Sequence, residues 1–179
     1  MDHMVAGKKL SRTESIRRAS AIRLVLTDND GVLTDTGVYY NEHGEAFKRF
    51  SIRDGMGVEL LRAAGIETAI LTSEVSPSVK RRAEKLRMKH LYLGIKDKGA
   101  YLPRILKETR LQASQLAYIG DDVNDLGIIN LITPQGLTAC PQDGMPVVRR
   151  AVHYRCEKPG GNGAFRDFAE WILRLNKSA

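Results

Sequence analysis

The sequence predicts an α/β fold, a parallel sheet with helices on both faces, on three observations. Apolar β-rich runs alternate with helical patterns along most of the chain, and several of these runs end in polar or charged clusters. The balance of 42% hydrophobic and 27% charged residues over 179 residues suits one packed domain, able to bury roughly 70% of its unfolded surface without disulfides or a structural metal.

In chain order, residues 1–20 read as a basic segment (Lys8, Lys9, Arg12, Arg17, Arg18) expected to be flexible, and residues 21–179 as the single domain. Residues 22–27, Ile-Arg-Leu-Val-Leu-Thr, form the first strand, buried on both faces. Residues 38–50 read as a hairpin with Gly44 in its loop, and its aromatic content asks for a covering surface. A helical pattern with Val58, Leu60, Leu61 and Ala64 stops at Gly65, and residues 66–71 are the next strand. Ser76-Pro77 opens a helix with Val79, Ala83 and Leu86 on one face. Strands at 90–93, 115–119, 137–140 and 152–154 then alternate with helices at 98–111 and 124–131. A glycine-rich loop at 159–163 precedes an amphipathic helix at 165–175.

Composition removes several classes. No apolar run approaches the roughly 20 residues of a membrane span, and the basic start lacks the apolar stretch of a secretory signal, so no membrane partner and a cytoplasmic location are expected. Cys140 and Cys156 have no CxxC spacing and read as reduced structural thiols. The formal net charge of +7 favours anionic partners. Part of that excess lies in the opening stretch, and no interleaved basic and aromatic groove is visible. A small anion is therefore expected, and nucleic acid is not.

Ligands of doubly wound sheets sit beyond the carboxyl ends of the strands. There the sequence places Asp28-Asn29-Asp30-Gly31, Thr72-Ser73-Glu74, Lys98 at the start of a helix, and Gly120-Asp121-Asp122. Asp28 and Asp30, two apart, leave an extended backbone on the same side, and Asp121 approaches from another strand end. Crowded carboxylates repel, raising their pKa values, unless a hard divalent ion with oxygen ligands relieves them; Mg²⁺ suits a phosphate site. Strand-end aspartates that merely cap helices explain any one of these residues but not the convergence.

Asp28-Asn29-Asp30-Gly31-Val32-Leu33-Thr34, the apolar run ending in Thr72, Lys98, and Gly120-Asp121-Asp122-Val123-Asn124-Asp125 resemble, in order, the four motifs of the haloacid dehalogenase superfamily of aspartyl-phosphate phosphatases. From Ile22 onward the chain resembles the capless sugar-acid phosphatases of that superfamily, with a Rossmann-like sheet. The resemblance implies that Asp28 is the nucleophile and Asp30 the acid and base. It implies that Asp28, the Asp30 carbonyl and Asp121 hold Mg²⁺, that Thr72, Ser73, Asn29 and Lys98 bind phosphate, and that Asp122 or Asp125 aims Lys98. Asn29 and Ser73 depart from the usual apolar residue and glycine at those positions.

A carboxylate that takes the phosphoryl group splits one slow displacement into two faster ones. Neither insertion point for a cap domain has room, so the resemblance implies a homotetramer whose hairpins pack together and whose neighbouring subunits cover the site. Arg53, Glu74, Lys85 and Arg166, with the glycine loop, are the expected substrate contacts. Thr72-Ser73-Glu74 followed by Lys85 looks like the members acting on nine-carbon acids, 2-keto-3-deoxynononate or N-acetylneuraminate 9-phosphate, with the eight-carbon octulosonate ester as the alternative. A retired scaffold or a basic nucleic-acid-binding module is the alternative of another class.

Overall fold

The computed structural model describes residues 9–178. Its first helix, α1 (Arg12–Ala21), occupies part of the segment expected to be flexible. Ser11 caps it by accepting from the Glu14 N–H, and Arg18 donates to the carbonyls of Thr133, Pro134 and Gly136. The expectation for residues 1–8 lies outside the described residues.

The remaining elements are β1 (Leu24–Thr27), β2 (Tyr39–Asn41), β3 (Gly44–Phe47), α2 (Ile52–Ala63), β4 (Glu67–Leu71), α3 (Pro77–Lys85), β5 (His90–Tyr92), α4 (Lys98–Thr109), β6 (Leu116–Ile119), α5 (Leu126–Ile132), β7 (Leu137–Cys140), α6 (Pro146–Ala151), β8 (Tyr154–Arg155) and α7 (Ala164–Asn176). Six strands form one sheet in the order β5-β4-β1-β6-β7-β8, every neighbouring pair parallel. The expected last strand at 152–154 lies slightly later, at Tyr154–Arg155. The short α6 was not anticipated, although Pro146 at its first turn is a start signal.

Alternation along the strands fills two cores. Val25, Ile70, Ala117 and Ile119 face α1, α2, α3 and α7, packing with Leu61, Val79, Phe165 and Phe168. Leu24, Leu26, Leu71, Leu116 and Tyr118 face α4, α5 and α6, packing with Leu102, Ile105, Ile129 and Val148. Both faces of β1 are therefore dry, which explains its unbroken apolar sequence.

β2 and β3 pair only with each other and stand off the main sheet, closed at their base by a bridge between Thr34 and Phe50. Tyr39 stacks on Phe47 at 4.6 Å, yet Tyr40 remains 74% and Phe47 57% exposed, so the hairpin's apolar surface has no cover among the described residues. Among the described residues no helix is long and apolar enough to cross a membrane. Cys140 and Cys156 are free, buried thiols.

Candidate active site

The sheet order places β1 between β4 and β6, so the residues that follow these strands meet at one edge. Asp28 follows β1 and still donates its N–H to the Ile119 carbonyl; Thr72 follows β4 and donates to the Tyr92 carbonyl. Asp121 follows β6 by one residue, and Lys98 opens α4, whose N-cap is Asp97.

Lys98 is the hub. Its Nζ lies 2.6 Å from Asp125 Oδ1 and 2.9 Å from Asp28 Oδ2, with the Tyr118 hydroxyl at 3.4 Å, and all four residues are buried. The Tyr118 O–H donates to Asp125 Oδ1 at 2.6 Å, while Asp125 Oδ2 accepts from the N–H groups of Asp121 and Asp122 at 2.8 and 3.3 Å. A buried ion pair is tolerable only when its remaining hydrogen-bonding capacity is met, and this network meets it for Asp125. Of the two candidates for aiming Lys98, Asp125 does so. Asp122 is exposed and accepts from the Val123 N–H instead.

The charge balance is left negative. Burial, and then the charge of Asp125, push Asp28 up to about 7 against the opposing pull of Lys98. Burial together with Asp28 and Asp125 pushes Asp121 up to about 8. Burial alone would lower Lys98, but the two carboxylates outweigh it and its pKa is raised, so it stays charged. Asp28, Asp121 and Asp125 each offer a carboxylate oxygen within 4.8 Å of the others. Asp28 and Asp121 face the cleft, and Asp125 is committed beneath them. This all-oxygen donor set with surplus negative charge fits a hard divalent cation. Gly31 permits the arrangement: at φ +85° its backbone passes so close to Asp121 that a Cβ would lie 2.1 Å from Oδ2.

Above these residues opens a cleft of about 450 Å³, lined among others by Asp28, Asp30, Thr72, Ser73, Glu74, Asp121 and Asp122. Tyr40, Glu45 and Lys48 of the hairpin region complete its wall. The sequence reading missed Lys48, which in a run with Arg49 looks like solvated surface. In the structure its side chain is 2% exposed, 2.7 Å from Asp30 Oδ1 and 3.0 Å from Glu45 Oε2. Burial lowers its pKa, but those two carboxylates outweigh burial and the net shift is upward. Tyr118 was also missed; its strand position, alternating with Ala117 and Ile119, is the signal that could have found it.

Several expected contacts are not made within one chain. Asn29 is buried outside the cleft lining: in the turn after β1 its side-chain N–H donates to Asp30 Oδ1 and its carbonyl accepts from the N–H groups of Val32, Leu33 and Thr34. Lys85 is exposed at the far end of α3, roughly 12 Å along the helix from Pro77, and does not line the cleft. Arg53 is exposed on α2, and Arg166 pairs with Glu170 at 2.6 Å. The glycine loop braces the first loop rather than lining the cleft: the Gly161 N–H donates to the Val32 carbonyl, and a Cβ on Gly160 would lie 2.0 Å from the Gly31 oxygen.

No family model matches the chain. The 3-deoxy-D-manno-octulosonate 8-phosphate phosphatase KdsC of Haemophilus influenzae is 38% identical over 153 residues, covering 86% of this chain and 83% of that protein. The Yersinia pestis protein of the same name is 36% identical over 158 residues, 88% and 83% of the two chains. Among solved structures, the Moraxella catarrhalis phosphatase in complex with magnesium ion, phosphate ion and KDO has a TM-score of 0.86 at 35% identity, covering 93% of this chain and 94% of that one. The cobalt-bound H. influenzae phosphatase has a TM-score of 0.84 at 36% identity, covering 89% and 92%. These relatives are named for the eight-carbon ester, against the nine-carbon preference drawn from Glu74 and Lys85. The chain belongs to the haloacid dehalogenase superfamily, as a phosphatase of the capless sugar-acid family that includes the octulosonate 8-phosphate phosphatases.

Proposed function

We propose that this phosphatase hydrolyses 3-deoxy-D-manno-octulosonate 8-phosphate with Mg²⁺, through an aspartyl phosphate on Asp28. The observation that carries the chemistry is the buried Asp28–Lys98–Asp125 chain at the carboxyl edge of a parallel sheet, beneath an acidic cleft. The names shared by relatives at 32–38% identity support the eight-carbon substrate.

Asp28 attacks phosphorus in line, and Asp30 gives a proton to the departing sugar oxygen and later takes one from water. Lys98 and Thr72 hold phosphoryl oxygens as charge builds on them, and Ser73 lies beside Thr72 in the cleft. The Asp28 and Asp121 carboxylates and the Asp30 carbonyl would hold Mg²⁺, which supplies positive charge against the phosphate.

The uncovered hairpin supports assembly into a homotetramer in which neighbouring subunits roof the cleft. Arg53 and Arg166, which do not line the cleft of their own chain, are the residues we assign to a neighbour's substrate carboxylate.

One observation favours a second reading: Glu74 lines the cleft directly beyond Thr72, where a carboxylate would accept from the hydroxyls of a longer, nine-carbon acid. The two readings part on kcat/KM for the eight-carbon and nine-carbon esters. At least a ~10-fold preference for the former is expected; a preference of that size for the latter would transfer the assignment to 2-keto-3-deoxynononate or N-acetylneuraminate 9-phosphate.

A further inference from the structure

Helix α7 begins without a cap of its own. Its N-cap is Gly163 at φ +111°, which has no side chain to offer the free N–H groups of the first turn. The cap comes from α2 instead: Asp54 Oδ2 accepts from the Gly163 N–H at 3.1 Å, and Asp54 Oδ1 from the Arg166 N–H at 2.9 Å. Asp54 is 1% exposed, so both bonds are made out of water.

Asp54 follows Arg53 in the first turn of α2, and that turn is itself pinned. Ser51 Oγ accepts from the Asp54 N–H at 3.4 Å, and Arg82 of α3 donates to the Ser51 carbonyl at 2.9 Å. One turn after Arg53, on the same face of α2, the two helices meet closely: a Cβ on Gly57 would lie 3.0 Å from Arg166 Cα. Arg166 pairs with Glu170 through Nε at 2.7 Å and Nη2 at 2.6 Å, which aims a guanidinium that still has donors to offer.

We propose that Asp54 is a positioning residue for the substrate carboxylate: it locks the start of α7 to the start of α2, so that Arg53 and Arg166 keep one fixed spacing. This rests on the reading of those two arginines as the carboxylate's ligands. Two arginines that must close on one carboxylate gain from being held beforehand, because freedom lost on binding subtracts from affinity. The bracing of the cleft does not pass through Asp54. The Gly160 N–H donates to Asp143 Oδ1 at 2.9 Å, the Gly161 N–H donates to the Val32 carbonyl, and the Gly161 carbonyl accepts from Arg49. Loosening Asp54 therefore reaches carboxylate binding and leaves the phosphoryl site in place.

The test compares two esters in the full-length protein with saturating Mg²⁺: the sugar-acid phosphate it prefers, and p-nitrophenyl phosphate, which has no carboxylate. Asp54→Ala should raise KM for the sugar-acid ester roughly 30-fold, and Asp54→Asn, which keeps one acceptor, roughly 10-fold, with kcat within about 2-fold. For both variants kcat/KM on p-nitrophenyl phosphate should stay within about 2-fold of the parent. Gly57→Ala should spread the two helix starts and raise the same KM about 5-fold; it serves if the Asp54 variants fail to fold.

A structural role alone would lower the melting temperature without the selective rise in KM, or would cost both esters equally. Either result, or a loss confined to kcat, overturns the proposal. Arg53→Ala and Arg166→Ala test the underlying reading. If neither raises KM for the sugar-acid ester, the assignment of the arginines fails; if at least one does and the Asp54 and Gly57 variants do not, the Asp54 proposal fails alone.

Discussion

The floor of the cleft and its rim are built on opposite principles. The floor, made by Asp28, Lys98, Tyr118, Asp121 and Asp125, is buried between two packed cores, with its donors and acceptors matched at 2.6–2.9 Å. The rim, made by the hairpin and by Glu74, is exposed, pairs with no strand of the main sheet and leaves aromatic surface open. Rigid pre-organisation goes to the phosphoryl chemistry, which every ester of the class shares. Recognition of the rest of the substrate we assign to this exposed rim.

The comparison can be broken most decisively at the floor. Asp28→Asn removes the attacking oxygen and should lower phosphate release by at least ~10³-fold while circular dichroism stays native; full turnover would end the covalent mechanism. Asp125→Asn weakens the partner of Lys98 and the cap on two backbone N–H groups. It should cost about 3 kcal/mol or more in urea unfolding, alongside a fall of roughly 100-fold in kcat.

The charge crowding makes a graded prediction about metal and pH. Without metal, Asp28 and Asp121 keep their protons up to about 7 and about 8, whereas an unfolded aspartate loses its proton near ~4. The folded state therefore binds more protons than the unfolded state across this window, and stability should fall as pH rises from about 4 to about 8. Mg²⁺ should flatten that slope and raise the melting temperature at pH 8, since it binds the folded carboxylates. Thermal melts in chelator and in Mg²⁺ at several pH values check this, and a midpoint in chelator that climbs toward pH 8 would contradict it. The smallest effect belongs to the far side of the rim: Lys85→Ala should change kcat/KM on either ester by less than about 2-fold and stability by less than ~0.5 kcal/mol.

What could be read from the sequence follows the same division. Strand ends were legible because β1, β4 and β6 are dry on both faces and so read as apolar runs that stop at the polar edge. Asp28, Thr72, Lys98 and Asp121 fall at those ends or at the helix start after β5. Helix α1 was not legible as structure, since it buries little beyond Ser15 and Ala19 and its hold on the fold comes from Arg18 reaching carbonyls more than a hundred residues away. Ser11 with Glu14 three residues later was the available clue. Lys48 gave none, because its burial depends on where a short, irregular hairpin places it against Asp30. Lys85 is the converse case: its position on the helix after Glu74 suggested a substrate contact, and within one chain it stands exposed at the end of α3, outside the cleft lining.

Gly31 fits so closely against Asp121 that not even a methyl group has space between them. Any replacement at position 31 would shove aside the Asp121 carboxylate, which we assign to the cation. New substrate preferences must therefore be sought among the outward residues, where side chains can change without disturbing the reacting centre.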